Sequence, residues 1–220
     1  MELLYKFKPA EPLAHIVDIL LEHRLYCANY TELNDPFEGQ FITEFRDSPE
    51  MRAIFASITG LSLLTIPTNK LVRSLKDITE LPLTATANRI CSLTSCPVDV
   101  RLWSHYASGH TGLAFELNTD GLNPPAREVI YASNIMKGGT GLLGAPTAED
   151  VLTRKTDHWE YEQEYRIVTN ETYVSVSGRI TRIILGARAS DTLERLVRRL
   201  VDVNIEVTKA ELDVEGIQIP

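Results

Sequence analysis

No stretch of this 220-residue chain approaches the ~20 consecutive apolar residues that a membrane-crossing helix needs. The opening residues, MELLYKFKPAEP, lack the order of basic stretch, apolar core and cleavage site that marks a secretory leader. A soluble, cytoplasmic protein with no membrane partner is expected. Positive charge is also short: 22 Lys and Arg against 30 Asp and Glu leave a net charge of −8. That disfavours nonspecific attraction to nucleic acid or anionic lipid, unless a local basic patch overrides it. Cysteine is scarce. Cys27, Cys91 and Cys96 are odd in number and form no CxxC, which fits free thiols in a reducing compartment. Cys91, Cys96, His105 and His110 do make a C-x4-C-x8-H-x4-H spacing, but its central spacer is shorter than in common zinc fingers. Buried inert thiols are the better reading, and no metal is expected. GxGxxG, the phosphate-binding P-loop and the GxSxG elbow are all missing.

What is present alternates irregularly between short strands and helices. Leu3–Phe7 reads as a strand, and Leu13, Ile16, Val17 and Leu20 mark the apolar face of a helix ending near Arg24. Leu25–Ala28, Arg89–Thr94, Gly112–Leu117, Glu128–Tyr131, Tyr173–Val176, Arg179–Leu185 and Asn204–Thr208 read as strands. Residues 49–82 look mainly helical, as a lid or added segment. Asp99–Ala107 fits a short helix capped by Asp99, a glycine-rich loop runs from Lys137 to Pro146, and Thr147 caps the next helix. Asp191 and Glu194 form a DxxE start to a last helix whose Arg195, Arg198 and Arg199 make a solvated face. Consecutive strands in the later half favour one α+β domain over residues 1–220 rather than a doubly wound parallel sheet.

The densest chemistry lies in Trp159–Arg166, WEYEQEYR. As a strand it would place Glu160, Glu162, Glu164 and Arg166 on one face and Tyr161, Gln163, Tyr165 and Ile167 on the other. Adjacent carboxylates repel, so such a comb points to a place where a proton, a metal ion or a cationic intermediate is handled. Arg166 would hold one neighbouring carboxylate ionised. The bland alternative is a charged edge strand that guards against aggregation.

Two further runs are candidates. Asn34-Asp35-Pro36-Phe37-Glu38-Gly39 is a tight turn in which Asn34 can donate to a ligand and Asp35 or Glu38 accept from one. In Leu102–Gly112, LWSHYASGHTG, Trp103 and Tyr106 suit either a core or a ring-stacking role. His105 supplies a group that titrates near neutral pH.

Tyr5-Lys6-Phe7, NDPFEG, LWSHYASGHTG followed by AFEL, Lys155 with WEYEQEYR, and Ile184-Leu185-Gly186 together resemble a bacterial family known as domain of unknown function two-nine-seven-one. The motifs occur in the family's order from Tyr5 to Gly186. Other members tend to carry LYHYT or LYKY near the start, where Lys6 and Phe7 stand here. That family's start is in turn similar, more distantly, to ADP-ribosyltransferases. These lead with a strand bearing a basic residue and close their site with a strand glutamate, sometimes in an ExE pair, as in Glu162-Gln163-Glu164. The resemblance implies a split sheet of short mixed or antiparallel strands with flanking helices, and NAD as substrate. It also implies an unknown acceptor macromolecule and a toxin or phage-defence role.

On that basis Glu164, assisted by Glu162 and with His105 as a third candidate, would form the catalytic set. Lys6, Asn34, Ser92, Trp103, Tyr106 and Arg166 would hold the nucleotide. Two other classes remain open. Asp35, Glu38, Glu162 and Glu164 could hold Mg²⁺ or Mn²⁺ for phosphoester hydrolysis. Alternatively, the same residues could form a non-catalytic nucleotide- or partner-binding module.

Overall fold

The computed structural model describes residues 2–44, 49, 52–53, 56–57, 60, 70–74, 89–133 and 147–220. In chain order these form β1 (Leu3–Lys8), α1 (Ala14–Glu22), β2 (Arg24–Tyr26), β3 (Ala28–Asn29), β4 (Gln40–Glu44), β5 (Lys70–Ser74) and β6 (Arg89–Thr94). Then come α2 (Val100–Tyr106), β7 (Leu113–Asn118), β8 (Ala126–Glu128), β9 (Ile130–Ala132), α3 (Ala148–Leu152) and β10 (Arg154–Thr156). The chain continues with β11 (Glu164–Thr169), β12 (Tyr173–Ser175), β13 (Ile180–Leu185), α4 (Asp191–Leu200), β14 (Glu206–Lys209), β15 (Glu211–Asp213) and β16 (Gly216–Gln218). The architecture is α+β.

Eight strands build the central sheet in the order β14-β13-β7-β1-β6-β11-β8, with β3 also on β6. Its ladders are antiparallel except β13–β14, which is parallel. The ladders are very unequal. β1 pairs with β7 from Leu3↔Asn118 to Lys8↔Leu113, and β6 pairs with β11 from Glu164↔Thr94 to Thr169↔Arg89. Between these two halves, β1 and β6 meet at a single rung, Tyr5↔Thr94. Further along the same edge of β6, Ile90 and Arg89 pair with Ala28 and Asn29 of β3. In the interval the Lys6 ammonium donates to the Ser92 carbonyl at 2.7 Å. The sheet is therefore split, and a lysine spans the split.

Strand alternation sends the two sides of the sheet into separate cores. Leu4, Cys91, Leu93, Phe115, Ile167 and Ile183 pack against Ile16, Ile19 and Leu20 of α1 and Leu193 and Val197 of α4. Tyr5, Phe7, Ala114 and Ile184 face the other way, against Leu102, Trp103 and Ala107 around α2. The close approaches at the end of β7 require glycine. A Cβ on Gly112 would collide with the Lys8 carbonyl oxygen, and one on Gly186 with that of His110.

Several boundaries differ from the sequence expectation. Within 49–82, Lys70–Ser74 is a strand, antiparallel to Gln40–Glu44, whereas residues 49, 52–53 and 56–57 are helical. Most of that segment, and the glycine-rich loop, lie outside the described residues. The cap of α4 is Ser190, whose hydroxyl accepts from the Leu193 N–H, rather than Asp191. A hairpin, β15–β16, follows the strand expected to be last. The comb is only half a strand. Asp157–Glu162 winds as a 3-10 helix, Gln163 takes a left-handed conformation at φ 42°, and the strand begins at Glu164.

Candidate functional site

A cavity of about 200 Å³ opens at the split. Tyr5, Lys6 and Phe7 of β1 line one side, Ser92, Leu93 and Thr94 of β6 the other, and Glu32, Leu33 and Asn34 form the rim. Tyr106 of α2 with Lys155, Glu162, Glu164 and Arg166 completes the wall. The register explains part of this convergence. Glu164 lies opposite Thr94 and Arg166 opposite Ser92, so period-two alternation puts both on the α2 side of the sheet. Glu162 reaches the same wall by the Gln163 turn, with its own carbonyl tied to the Thr94 hydroxyl at 2.6 Å. Glu160, two residues earlier, is exposed.

Both inner carboxylates are buried at 4% exposure and both are paired. The Lys155 ammonium lies 2.6 Å from Glu162 and 3.0 Å from Glu164. Arg166 donates to both oxygens of Glu164, at 2.8 and 3.1 Å, and to both oxygens of Glu38, at 2.6 and 2.9 Å. Its remaining bond goes to the Leu152 carbonyl at 2.6 Å. The Tyr106 hydroxyl donates to Glu162 at 2.6 Å, and the Glu164 N–H donates to the Tyr131 hydroxyl at 2.8 Å.

The electrostatics follow from this pairing. Burial pushes the Glu164 carboxyl up, but Arg166, Lys155 and a Ser92 hydrogen bond outweigh it and hold it at about 2. At Glu38 burial wins over Arg166, and the carboxyl lies above its ordinary value. Burial and the neighbouring Glu162 raise the Tyr106 hydroxyl, keeping it a proton donor. The two anions outweigh burial at Lys155 and raise its ammonium.

Lys6, Asn34, Ser92, Tyr106, Glu162, Glu164 and Arg166 thus come together, and two expected members do not. His105 is exposed on the outer side of α2, edge-on to the rings of Tyr106 and Tyr161, and does not line the cavity. Trp103 is fully buried. Its indole N–H donates to the Pro97 carbonyl at 2.7 Å, and its ring meets Phe7 edge-on and stacks on His110. On α2 it is Tyr106, not Trp103 or His105, that faces the cleft. Arg166 lines the cavity and is fully engaged by groups of the protein. All five of its N–H donors are taken by Glu38, Glu164 and the Leu152 carbonyl, so in this structure it orders carboxylates.

The metal-ligand reading meets a charge problem. Asp35 is turned into its own loop, accepting from the Phe37 N–H at 2.9 Å. Glu38, Glu162 and Glu164 are each already bonded to a cation. Lys155 is a site residue that the motifs alone do not assign, and its signal in the sequence is electrostatic: several carboxylates on one short segment with only Arg166 beside them need a second cation. No protein-family model, curated protein or solved structure matches the chain.

Proposed function

We propose that the cleft takes the nicotinamide riboside end of an NAD-like dinucleotide and breaks its N-glycosidic bond, in the manner of an ADP-ribosyltransferase or glycohydrolase. The observation that carries the reading is the split itself. It brings the Lys6 strand, Ser92 and the Glu162 and Glu164 carboxylates to one cavity, the arrangement that the resemblance to ADP-ribosyltransferases implies. The Lys6 ammonium sits in the split on the Ser92 carbonyl, beside the Cys91 thiol, and a phosphate or ribose oxygen entering the cleft would compete with that carbonyl for it. Tyr106 offers a ring edge to the nicotinamide.

In this chemistry the C1′–N bond breaks with its electron pair leaving on nicotinamide, whose ring becomes neutral. The positive charge passes to ribose C1′ and O4′, where a fixed carboxylate stabilises it. Water or an acceptor hydroxyl then attacks C1′ and gives up its proton. A carboxylate has roughly four lone-pair positions. Those of Glu164 are taken by Arg166, Lys155 and Ser92. Among the described residues, Glu162 holds Tyr106 and Lys155. Glu162 is therefore the better placed to meet the cation and accept the proton, with Glu164 ordering it through Lys155.

The test is nicotinamide release from NAD by the purified protein, comparing wild type with Glu162→Gln and Glu164→Gln. Release lost in Glu162→Gln and reduced in Glu164→Gln is expected. Equal background in all three sinks the catalytic reading. The full occupation of Glu164 favours one alternative, a nucleotide-binding module without turnover. That alternative gives NAD-dependent thermal stabilisation and no nicotinamide.

A further inference from the structure

Glu38 does not line the cavity, yet it is tied to it twice over. Its side chain is 4% exposed and grips Arg166 through both oxygens across 128 positions of sequence. Arg166 holds Glu164, Lys155 joins Glu164 to Glu162, and Glu162 accepts from Tyr106. The Tyr106 hydroxyl in turn is within hydrogen-bonding reach of Asn34. Asn34 and Glu38 belong to the same turn, so the chain of side chains closes on itself.

That turn is internally stiff. Asp35 accepts from the Phe37 N–H through its side chain and from the Glu38 N–H, at 3.0 Å, through its carbonyl. The Gln40 N–H donates to the Phe37 carbonyl at 3.1 Å, and the Gln40 amide donates to the Pro36 carbonyl at 2.9 Å. Gly39 has φ +73° and lies against the Tyr30 ring, where a Cβ would clash. A stiff turn moves as one piece, so the position of its buried end sets the position of its exposed end.

We infer that Glu38 is a positioning residue of the cleft: through Arg166 it anchors the Asn34–Glu38 turn, sets Asn34 and Leu33 at the rim, and steadies Glu164 from behind. The turn is a clasp with a buried, ionic end at Glu38 and an exposed, weakly held end at Asn34. A ligand that takes the Tyr106 hydroxyl or a Glu162 oxygen competes with the weak end alone. The anchor itself is independent of what the cleft binds, and only the kinetic arm below rests on the NAD reading.

The experiment is backbone hydrogen exchange on wild type, Glu38→Ala, Glu38→Gln and the exposed control Glu160→Gln, with NAD titrated in a thermal-shift assay. Removing the anchor should speed exchange by about tenfold or more at the bonded amides of Leu33, Phe37 and Glu38, with β7 unchanged. Glu38→Gln, which keeps an acceptor for Arg166, should fall between wild type and Glu38→Ala. If NAD is turned over, KM should rise by about tenfold with a smaller fall in kcat, since the rim loses its anchor and Glu164 its support from behind. Should Glu38→Ala fail to fold, local acceleration in Glu38→Gln carries the test. Unchanged exchange at 33–38 overturns the inference, and so does acceleration spread evenly into β7, which would mean general destabilisation. Wild type that neither binds nor cleaves NAD removes the functional reading and leaves the exchange result to decide Glu38.

Discussion

Lys155 stands between Glu162 and Glu164, its ammonium 2.6 Å from one carboxylate and 3.0 Å from the other. Both anions are buried, so neither can turn to water when the cation is removed. Lys155→Met should cost about 3–5 kcal/mol, the usual penalty for breaking a buried ion pair on one side. Urea unfolding with an unchanged slope measures it. A loss below about 1 kcal/mol would mean that water already screens the pair.

Acid should unfold the protein partly through Glu164. Its carboxyl is held at about 2 in the fold against an ordinary 4.5. A depressed folded value means the unfolded chain takes up the proton first. The stabilisation is therefore complete above about pH 4.5 and is lost as pH falls towards 2, by about 3 kcal/mol in all. Glu38, held above its ordinary value, works in the opposite sense and softens the slope. Glu164→Gln should start less stable at pH 7 and show a flatter stability curve between pH 5 and 2. A curve parallel to wild type would contradict the assignment.

Arg166→Lys keeps the charge and loses the fork. A lysine has a compact ammonium that cannot bond both oxygens of Glu38, both of Glu164 and the Leu152 carbonyl at once. A loss of about 2–4 kcal/mol is expected, from buried acceptors left short of donors. Chemical denaturation reads it directly. A near-neutral result would show the network to be rearrangeable.

At the start of α4 the Ser190 hydroxyl, not the Asp191 carboxylate, accepts from the Leu193 N–H at 3.2 Å. Ser190→Ala should cost about 1 kcal/mol, and Asp191→Asn only a few tenths through the helix dipole. Thermal melts of the two variants separate the roles. The reverse order would restore Asp191 as the cap.

That cap shows how local the legible part of the sequence is. Strand periodicity predicts the shared face of Glu164 and Arg166, and the registers opposite Thr94 and Ser92 agree. The α+β class follows from the same kind of pattern. The arrival of Glu162 beside Glu164 does not, because a non-glycine residue, Gln163, must turn left-handed between a 3-10 helix and the strand. His105 and Tyr106 differ by one position on a single helical turn, and only the packing of Leu102 and Trp103 against Phe7 and Tyr5 decides which one faces the cleft. The pairing of Glu38 with Arg166 has no local signature at all, since its partners are far apart in the chain.

The 128-residue gap between Glu38 and Arg166 has a consequence for the order in which the molecule is made. Synthesis runs from the N-terminus. By the time residue 150 has emerged, Lys6, Asn34 and Ser92 exist, but Lys155, Glu162, Glu164 and Arg166 have not yet been added. Long-range contacts of this kind close late. The nascent chain therefore carries the lysine side of the cleft without its carboxylate side. The ionic network that joins Glu38 to Arg166 can therefore form only once residue 166 has been made.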